Sequence, residues 1–119
     1  IFNDQQERLW VDNLIHPYVG DRIFAGIKEI SAETLIAVVP LLFEAQMTDL
    51  VTEIWVVTCS PKQQLNRLIE RNQLTPEQAR ARISSQMTLS EKAKKADIVL
   101  NNNSSVEEIL QQVDIAIFR

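Results

Sequence analysis

The sequence predicts an α/β fold built on a parallel sheet. Three short apolar runs, rich in β-branched residues, have the composition of strands buried on both faces: residues 34–39, 53–59 and 96–101. Signals for several helices lie between the second and third runs, and another follows the third. Strands separated by helices are typical of parallel sheets, because parallel strands need a long crossover connection. Three parallel strands are few, so we expect them to be part of a larger sheet.

The region before the first strand is predicted to be helical. Between residues 4 and 29, apolar residues recur at three- to five-residue steps among charged positions, as on one face of an amphipathic helix. Pro17 interrupts this pattern and should kink or split the helix, which leaves His16 at the joint. His16 could orient a substrate or simply cap the kinked helix.

Four capping pairs predict where the later helices begin. Each pair has Ser or Thr at the N-cap and Glu or Gln three residues later, which is the capping-box pattern. Proline follows the first two N-caps and is favoured at the first helical position. The predicted pairs are Ser60–Gln63, Thr75–Gln78, Thr88–Glu91 and Ser104–Glu107. They indicate three helices within residues 61–95 and one after the third strand.

Composition excludes several kinds of site within this chain. One histidine and one cysteine cannot build a His- or Cys-rich metal centre, so no metal site is expected here. The two glycines, Gly20 and Gly26, cannot supply a glycine-rich phosphate-binding loop or a dinucleotide fingerprint. No apolar stretch approaches the roughly 18 to 20 residues of a membrane span, and no signal peptide is recognisable. A cytoplasmic location without a membrane partner is therefore expected.

The basic residues are concentrated in residues 60–95. This segment holds eight of the 12 Lys and Arg residues but three of the 16 acidic residues, in a chain of net charge −4. Arg67 and Arg71 share a helix face, and Arg82 shares one with Gln86 on the next helix. Guanidinium groups that converge from two helices suit phosphate oxygens, and solvated helix surface is the alternative. The segment has no aromatic residue to stack on bases, which argues against nucleic acid.

Two further segments could contribute to a site, because open parallel sheets bind ligands beyond the carboxyl ends of their strands. After the first run, Pro40, Leu41 and Leu42 could form an apolar wall with Glu44 as a polar contact, or could simply be core. The asparagines of residues 100–103 could form a turn or present backbone to a base. Three lysines near the end of the basic segment are expected to form a solvated face: Lys92, Lys94 and Lys95.

Taken together, these segments resemble the dephospho-CoA kinase family, which are P-loop kinases of the nucleoside-monophosphate-kinase type. The distinctive matches are the HP pair at residue 16, PLLFE at 40–44, R-x-x-x-R-N from Arg67, R-x-x-x-Q from Arg82, and A-D-x-V from Ala96. The resemblance runs nearly from end to end. It implies a partial parallel sheet of the P-loop NTPase type with a helical excursion that forms a lid and a CoA domain.

The resemblance also implies how the chain is organised. Residues 1–119 would be a C-terminal portion of a P-loop kinase, and a first residue other than methionine agrees with this. The implied parts are a helical CoA-binding segment at 1–33, core sheet and helix at 34–60 and 96–119, and a helical lid region at 61–95. The phosphate-binding loop, the Mg²⁺ ligands and the general base would lie in a missing N-terminal half, which this chain would need as a partner.

An activity and residue roles follow from the same resemblance. The intact enzyme would transfer the γ-phosphoryl group of ATP to the 3′-hydroxyl of dephospho-CoA, and this chain alone would be inactive. Arg67 falls on a catalytic arginine of the family, Arg71 and Arg82 on basic lid positions that bind ATP, and Asn102 on an asparagine near the adenine. The residues expected to contact the acceptor are His16, Pro40, Leu41, Leu42 and Glu44.

Two other functions stay open. One is phosphorylation of a different small molecule by a related P-loop kinase, which acceptors such as shikimate or gluconate would reveal. The other is a non-catalytic module whose basic helical segment docks an acidic protein. Binding would then weaken with added salt and would not respond to nucleotides.

Overall fold

The computed structural model describes residue 6 and residues 20–23, 25–29 and 34–118. The chain divides into two compact units, Ile1–Val51 and Thr52–Arg119. In the first unit, residues 20–23 and 25–29 are helical, as predicted. His16 and the kink expected beside it lie outside the described residues.

The predicted first strand does not form. Residues 34–39 belong to no helix or strand, and Leu35, Ile36 and Val38 are 42%, 84% and 88% exposed. The strand prediction for this run is therefore wrong in this structure. A strand exists only when its backbone pairs with another strand. The two strands found among the described residues pair with each other. Residues 34–39 therefore do not form a strand, although their composition is rich in β-branched residues.

The segment after this run ends in a closed turn. Gln46 has a left-handed backbone, with φ of 55°. Its N–H donates to the Phe43 carbonyl at 3.1 Å, and the Met47 N–H donates to the Leu42 carbonyl at 2.9 Å. These two bonds form a Schellman arrangement, which satisfies the last carbonyls of a helical turn. A short 3-10 helix follows at Thr48–Leu50.

The second unit contains two strands and four helices among its described residues. The strands are β1, Trp55–Thr58, and β2, Ile98–Asn101. The helices are α1, Pro61–Asn72; α2, Pro76–Ser84; α3, Leu89–Lys95; and α4, Val106–Ile117. The strands are parallel, with Trp55 opposite Ile98 and Thr58 opposite Asn101. The order of elements predicted after residue 53 is confirmed.

Local capping explains where these helices begin. Three predicted N-caps form as expected: Ser60 with Gln63, Thr75 with Gln78, and Thr88 with Glu91. The fourth prediction is wrong by one residue. Ser105, not Ser104, is the N-cap of α4, and its hydroxyl accepts the Glu108 N–H at 3.2 Å. The sequence SSVEE contains both possible pairs, so the spacing alone could not choose between them.

The core of the second unit is small. Its buried apolar residues are Val56, Ala79, Leu100 and Ala116. Lys92 is also buried, at 8% exposed, so the solvated face predicted for the lysines is wrong at this position, whereas Lys94 and Lys95 are exposed. The helix α3 packs against β1. A helix that packs on a strand buries the side chains of one face, and Lys92 is buried in this helix. The long aliphatic stem of a lysine suits such a position.

Candidate functional site

The carboxyl ends of β1 and β2 lie side by side. The Asn102 N–H donates to the Thr58 carbonyl at 2.7 Å, so the pairing continues one residue beyond β2. The chain after β1 passes directly into the first turn of α1. The last residue of β2 and the two residues that follow it, Asn101–Asn103, form what we call the asparagine loop. In an open parallel sheet, this edge is where ligands bind. The sequence prediction had placed Asn102 at this edge.

One face of α1 is bonded to the asparagine loop. The Ser60 N–H donates to Asn103 Oδ1 at 2.8 Å, and Gln63 Nε2 donates to the Asn103 carbonyl at 2.6 Å. One turn further along, Arg67 Nη1 donates to the Asn102 carbonyl at 2.8 Å. The N-cap Ser60 and the α1 residues Gln63 and Arg67 recur at three- and four-residue steps, which places them on one side of the helix. The loop is therefore fixed to the helix that carries Arg67.

The asparagine loop is held from its other side by α4. The Asn101 N–H donates to Gln112 Oε1 at 2.7 Å, and Gln112 Nε2 donates back to the Asn101 carbonyl at 2.8 Å. The Gln112 carboxamide thus satisfies both the N–H and the carbonyl of Asn101, as the backbone of a neighbouring strand would. Within the loop, the Asn103 N–H donates to Asn101 Oδ1 at 2.9 Å. Since amide groups make all of these bonds, the loop is ordered without any charged partner from α4.

The four site residues predicted in this unit are in different settings. Arg67 and Asn102 are joined directly by the bond between their guanidinium and carbonyl groups. Arg71 is exposed, and its Nε donates to Oδ1 of Asn72 at 3.1 Å. Arg82 is half-buried in the last turn of α2. The helices α1 and α2 pack against each other. The structure thus brings Arg67 and Asn102 together, while Arg71 bonds to its neighbour in the chain.

The residues predicted to contact the acceptor belong to the first unit. Pro40 is exposed, whereas Leu41 and Leu42 are half-buried. Glu44 is half-buried and one of its carboxylate oxygens is shielded from solvent. His16 lies outside the described residues. The roles of these residues at an acceptor site stay predictions.

Three residues of the loop network were not predicted from the sequence as site residues. Gln63 was assigned only to a helix cap, Asn103 to a turn or to backbone that faces a base, and Gln112 to nothing. The spacing of Gln63 and Arg67 by one helical turn was a signal that they share a face. No sequence pattern links Gln112 to Asn101, because that pairing depends on how α4 packs on β2.

The opposite ends of the strands are joined by an acidic residue. Asp97 Oδ2 accepts the Ile54 N–H at 2.8 Å, and the Asp97 N–H donates to the Ile54 carbonyl at 2.9 Å. Asp97 belongs to the A-D-x-V match, and its bonds here are to the backbone that precedes β1. Across the part of the chain that the structure describes, no group of three or more His, Cys, Asp or Glu residues could hold a metal ion, and no helix has the length and apolar character needed to cross a membrane.

Solved structures with the same fold define the class of protein. The chain is similar to TT1252 from Thermus thermophilus, with a TM-score of 0.82 and 26% identity over 98% of this chain and 61% of that chain. It is also similar to the dephospho-CoA kinase from Campylobacter jejuni, with a TM-score of 0.61 and 27% identity over 98% of this chain and 59% of that chain. The chain has parallel strands, helices between them, and polar residues at the carboxyl ends of the strands. It is an α/β protein of the P-loop NTPase class.

Sequence relatives define the family. The family model described as dephospho-CoA kinase matches residues 1–108. A dephospho-CoA kinase from Trichormus variabilis is 61% identical over 98% of this chain and 60% of its own length, and one from Synechocystis is 48% identical over 95% and 57%. The chain belongs to the dephospho-CoA kinase family, which confirms the resemblance drawn from its motifs. It spans about 60% of the length of these relatives.

Proposed function

We propose that this chain acts as part of an intact dephospho-CoA kinase, which transfers the γ-phosphoryl group of ATP to the 3′-hydroxyl of dephospho-CoA and so completes coenzyme A. Membership of the family supports this activity. The observation that carries it to particular residues is the 2.8 Å bond from Arg67 to the Asn102 carbonyl. That bond keeps a guanidinium group at the edge where parallel sheets bind ligands.

Arg67 is proposed as the catalytic arginine. Its side chain is exposed, and its bond to Asn102 uses Nη1. The N–H groups of Nε and Nη2 stay available for phosphate oxygens, and the planar guanidinium suits their geometry. Phosphoryl transfer depends mainly on positioning the reactants and on stabilising negative charge. An arginine fixed at this edge would do both for the group being transferred.

The remaining nucleotide contacts are proposed from the same edge and from the lid. Both backbone groups of Asn102 are already bonded, its N–H to Thr58 and its carbonyl to Arg67. Its side-chain carboxamide is therefore the part that we propose contacts adenine. Arg71 and Arg82 are proposed to bind the phosphates of ATP as α1, α2 and α3 close as a lid. Closure would exclude the water that competes with the acceptor hydroxyl.

The parts of the reaction that this chain lacks are proposed to come from an N-terminal half. The two glycines of the chain do not form a phosphate-binding loop, and the described residues offer no cluster of metal ligands. Mg²⁺ would neutralise charge on the phosphates when it is bound with ligands from that half. The acceptor would meet this chain at the first unit: His16, Pro40, Leu41, Leu42 and Glu44. We place the intact enzyme in the cytoplasm, with neither nucleic acid nor membrane as a partner.

The test is an acceptor comparison with the intact enzyme. Dephospho-CoA, shikimate and gluconate are each supplied with ATP and Mg²⁺, and products are identified by mass spectrometry. We expect phosphorylation of dephospho-CoA only, and no product from the 119-residue chain alone. Preference for another acceptor would assign a different small-molecule kinase. If the intact protein ignores ATP yet binds an acidic protein in a salt-sensitive way, the docking-module hypothesis replaces this one.

A further inference from the structure

We propose that Gln63 is a positioning residue for the ATP site, and that its carboxamide fixes the asparagine loop relative to Arg67. This inference rests on the proposed function, because it assigns the loop and Arg67 to ATP. Gln63 itself is not proposed to touch the nucleotide. It acts through the peptide groups of Asn102 and Asn103, which connect the base-contacting loop to the helix that bears the catalytic arginine.

The two ends of the Gln63 carboxamide serve different structures. Its Oε1 atom accepts from the Ser60 N–H at 3.3 Å and from the Ser60 hydroxyl at 3.0 Å, which closes the capping box of α1. Its Nε2 atom donates to the Asn103 carbonyl at 2.6 Å. The oxygen therefore belongs to the helix cap and the nitrogen to the loop. A substitution that changes only the nitrogen separates the two roles.

Two successive carbonyl groups of the loop are bonded to residues one turn apart on α1. The Asn103 carbonyl is held by Gln63 and the Asn102 carbonyl by Arg67. The two carbonyls lie in successive peptide planes that are separated only by φ and ψ of Asn103, so anchoring the Asn103 carbonyl narrows the orientations open to the Asn102 carbonyl. Loss of the Gln63 bond would let the Asn102 carbonyl turn away from Arg67. The guanidinium and the Asn102 side chain would then lose their fixed separation.

The substitution Gln63→Glu gives opposite outcomes for the two possible roles. Glutamate is a preferred partner in a capping box, and a carboxylate is favourable near a helix N-terminus. A purely capping role therefore predicts that the variant behaves as wild type or is more heat-stable. The positioning role predicts a defect, because a carboxylate oxygen would replace the donor that faces the Asn103 carbonyl.

The chain supplies a matched control in α2. Gln78 occupies the same capping-box position in α2. Its side-chain Oε1 accepts from the Thr75 N–H at 3.0 Å, and its backbone N–H donates to Thr75 Oγ1 at 3.2 Å. Within the described residues, these bonds keep Gln78 inside its own helix start. The change Gln78→Glu thus tests the chemistry of the substitution without touching the asparagine loop.

The experiment compares the intact wild-type enzyme with Gln63→Glu and Gln78→Glu. KM is measured separately for ATP and dephospho-CoA, ATP affinity is measured by calorimetry, and the melting temperature is recorded. We expect Gln63→Glu to raise KM and Kd for ATP about tenfold, as for loss of one hydrogen bond to the loop. KM for dephospho-CoA and the melting temperature should be unchanged, and Gln78→Glu should match wild type.

A second pair of variants covers the case in which Gln63→Glu does not fold. Gln63→Met and Gln78→Met each lose one reciprocal cap and add no charge, so a weaker affinity for ATP in the first alone supports the proposal. The proposal is overturned if Gln63→Glu binds ATP as tightly as Gln78→Glu, or if Gln63→Met binds ATP as tightly as Gln78→Met. If wild type binds ATP but does not phosphorylate dephospho-CoA, the acceptor assignment falls while Gln63 is still judged by ATP affinity. A wild-type enzyme that does not bind ATP refutes both.

Discussion

Replacement of Arg67 by alanine is expected to remove most of the turnover of the intact enzyme without unfolding it. The structural cost is small because the side chain is exposed and makes a single described bond, at 2.8 Å, to the Asn102 carbonyl. Loss of such a bond costs about 0.5–1.5 kcal/mol of folding free energy. Alanine is also the best helix former, which offsets part of that cost within α1.

The catalytic cost should be several times larger. An arginine that stabilises the transferring phosphoryl group is worth ~10³ to 10⁵ in rate, or about 4–7 kcal/mol. We expect the lower end, a loss of ~10³ in kcat, because Nη1 is already bonded to a neutral carbonyl and only part of the guanidinium is left for the phosphate. A loss of this size cannot come from a bond whose structural value is about 1 kcal/mol.

The assay is the initial rate of dephospho-CoA phosphorylation at saturating substrates, with a thermal melt of each variant. Arg67→Lys keeps the charge but not the planar fork, so its rate should lie between wild type and Arg67→Ala. Arg80→Ala removes an exposed arginine from α2 and should keep near-normal turnover. The reasoning is refuted if Arg67→Ala retains kcat within a few-fold of wild type, or if Arg80→Ala loses as much.

Three further predictions concern the framework of the second unit. Gln73 ends α1 with φ of 52°, a left-handed conformation that glycine adopts more easily. Gln73→Gly should therefore raise the free energy of unfolding in urea by about 0.5–1 kcal/mol, and a decrease would contradict this account. Asp97→Ala removes the acceptor of the Ile54 N–H and should cost about 1–2 kcal/mol, whereas Asp97→Asn keeps an acceptor and should cost less. Equal losses in the two variants would show that this bond is not the cause. Amide hydrogens of β1 and β2 should exchange more slowly than those of α1, α2 and α3 if the helices move as a lid. Equal protection would count against that motion.

The helices of the second unit were predictable because their signals are local. Ser60 and Thr75, each followed by proline and then by glutamine at the third helical position, specify a helix start within four residues. Strands carry no such self-contained signal. The run at 34–39 has strand composition but no ladder, since pairing needs a second strand with matching position and direction. Lys92 was misplaced for a related reason, because burial on α3 depends on the packing partner.

The candidate site was only partly predictable. Arg67 and Asn102 were identified by resemblance to a family, yet their contact joins residues 35 positions apart in the chain. It exists because the parallel register of β1 and β2 brings the start of α1 beside the asparagine loop. The pairing of Gln112 with Asn101 depends in the same way on the packing of α4. A single sequence states which residues are present but not how two distant elements are aligned.

The neutral character of the asparagine loop suits the role proposed for Arg67. A carboxylate in place of the Asn102 carbonyl would bind the guanidinium of Arg67 more strongly. Its negative charge would also offset the positive charge that is proposed to attract the phosphate. A peptide carbonyl orients Nη1 and leaves the net positive charge intact. The loop is in turn held by carboxamides of Gln63 and Gln112, which bring no charge of their own. A net acidic chain can thus fix one arginine through a neutral partner at the edge where a phosphate would bind.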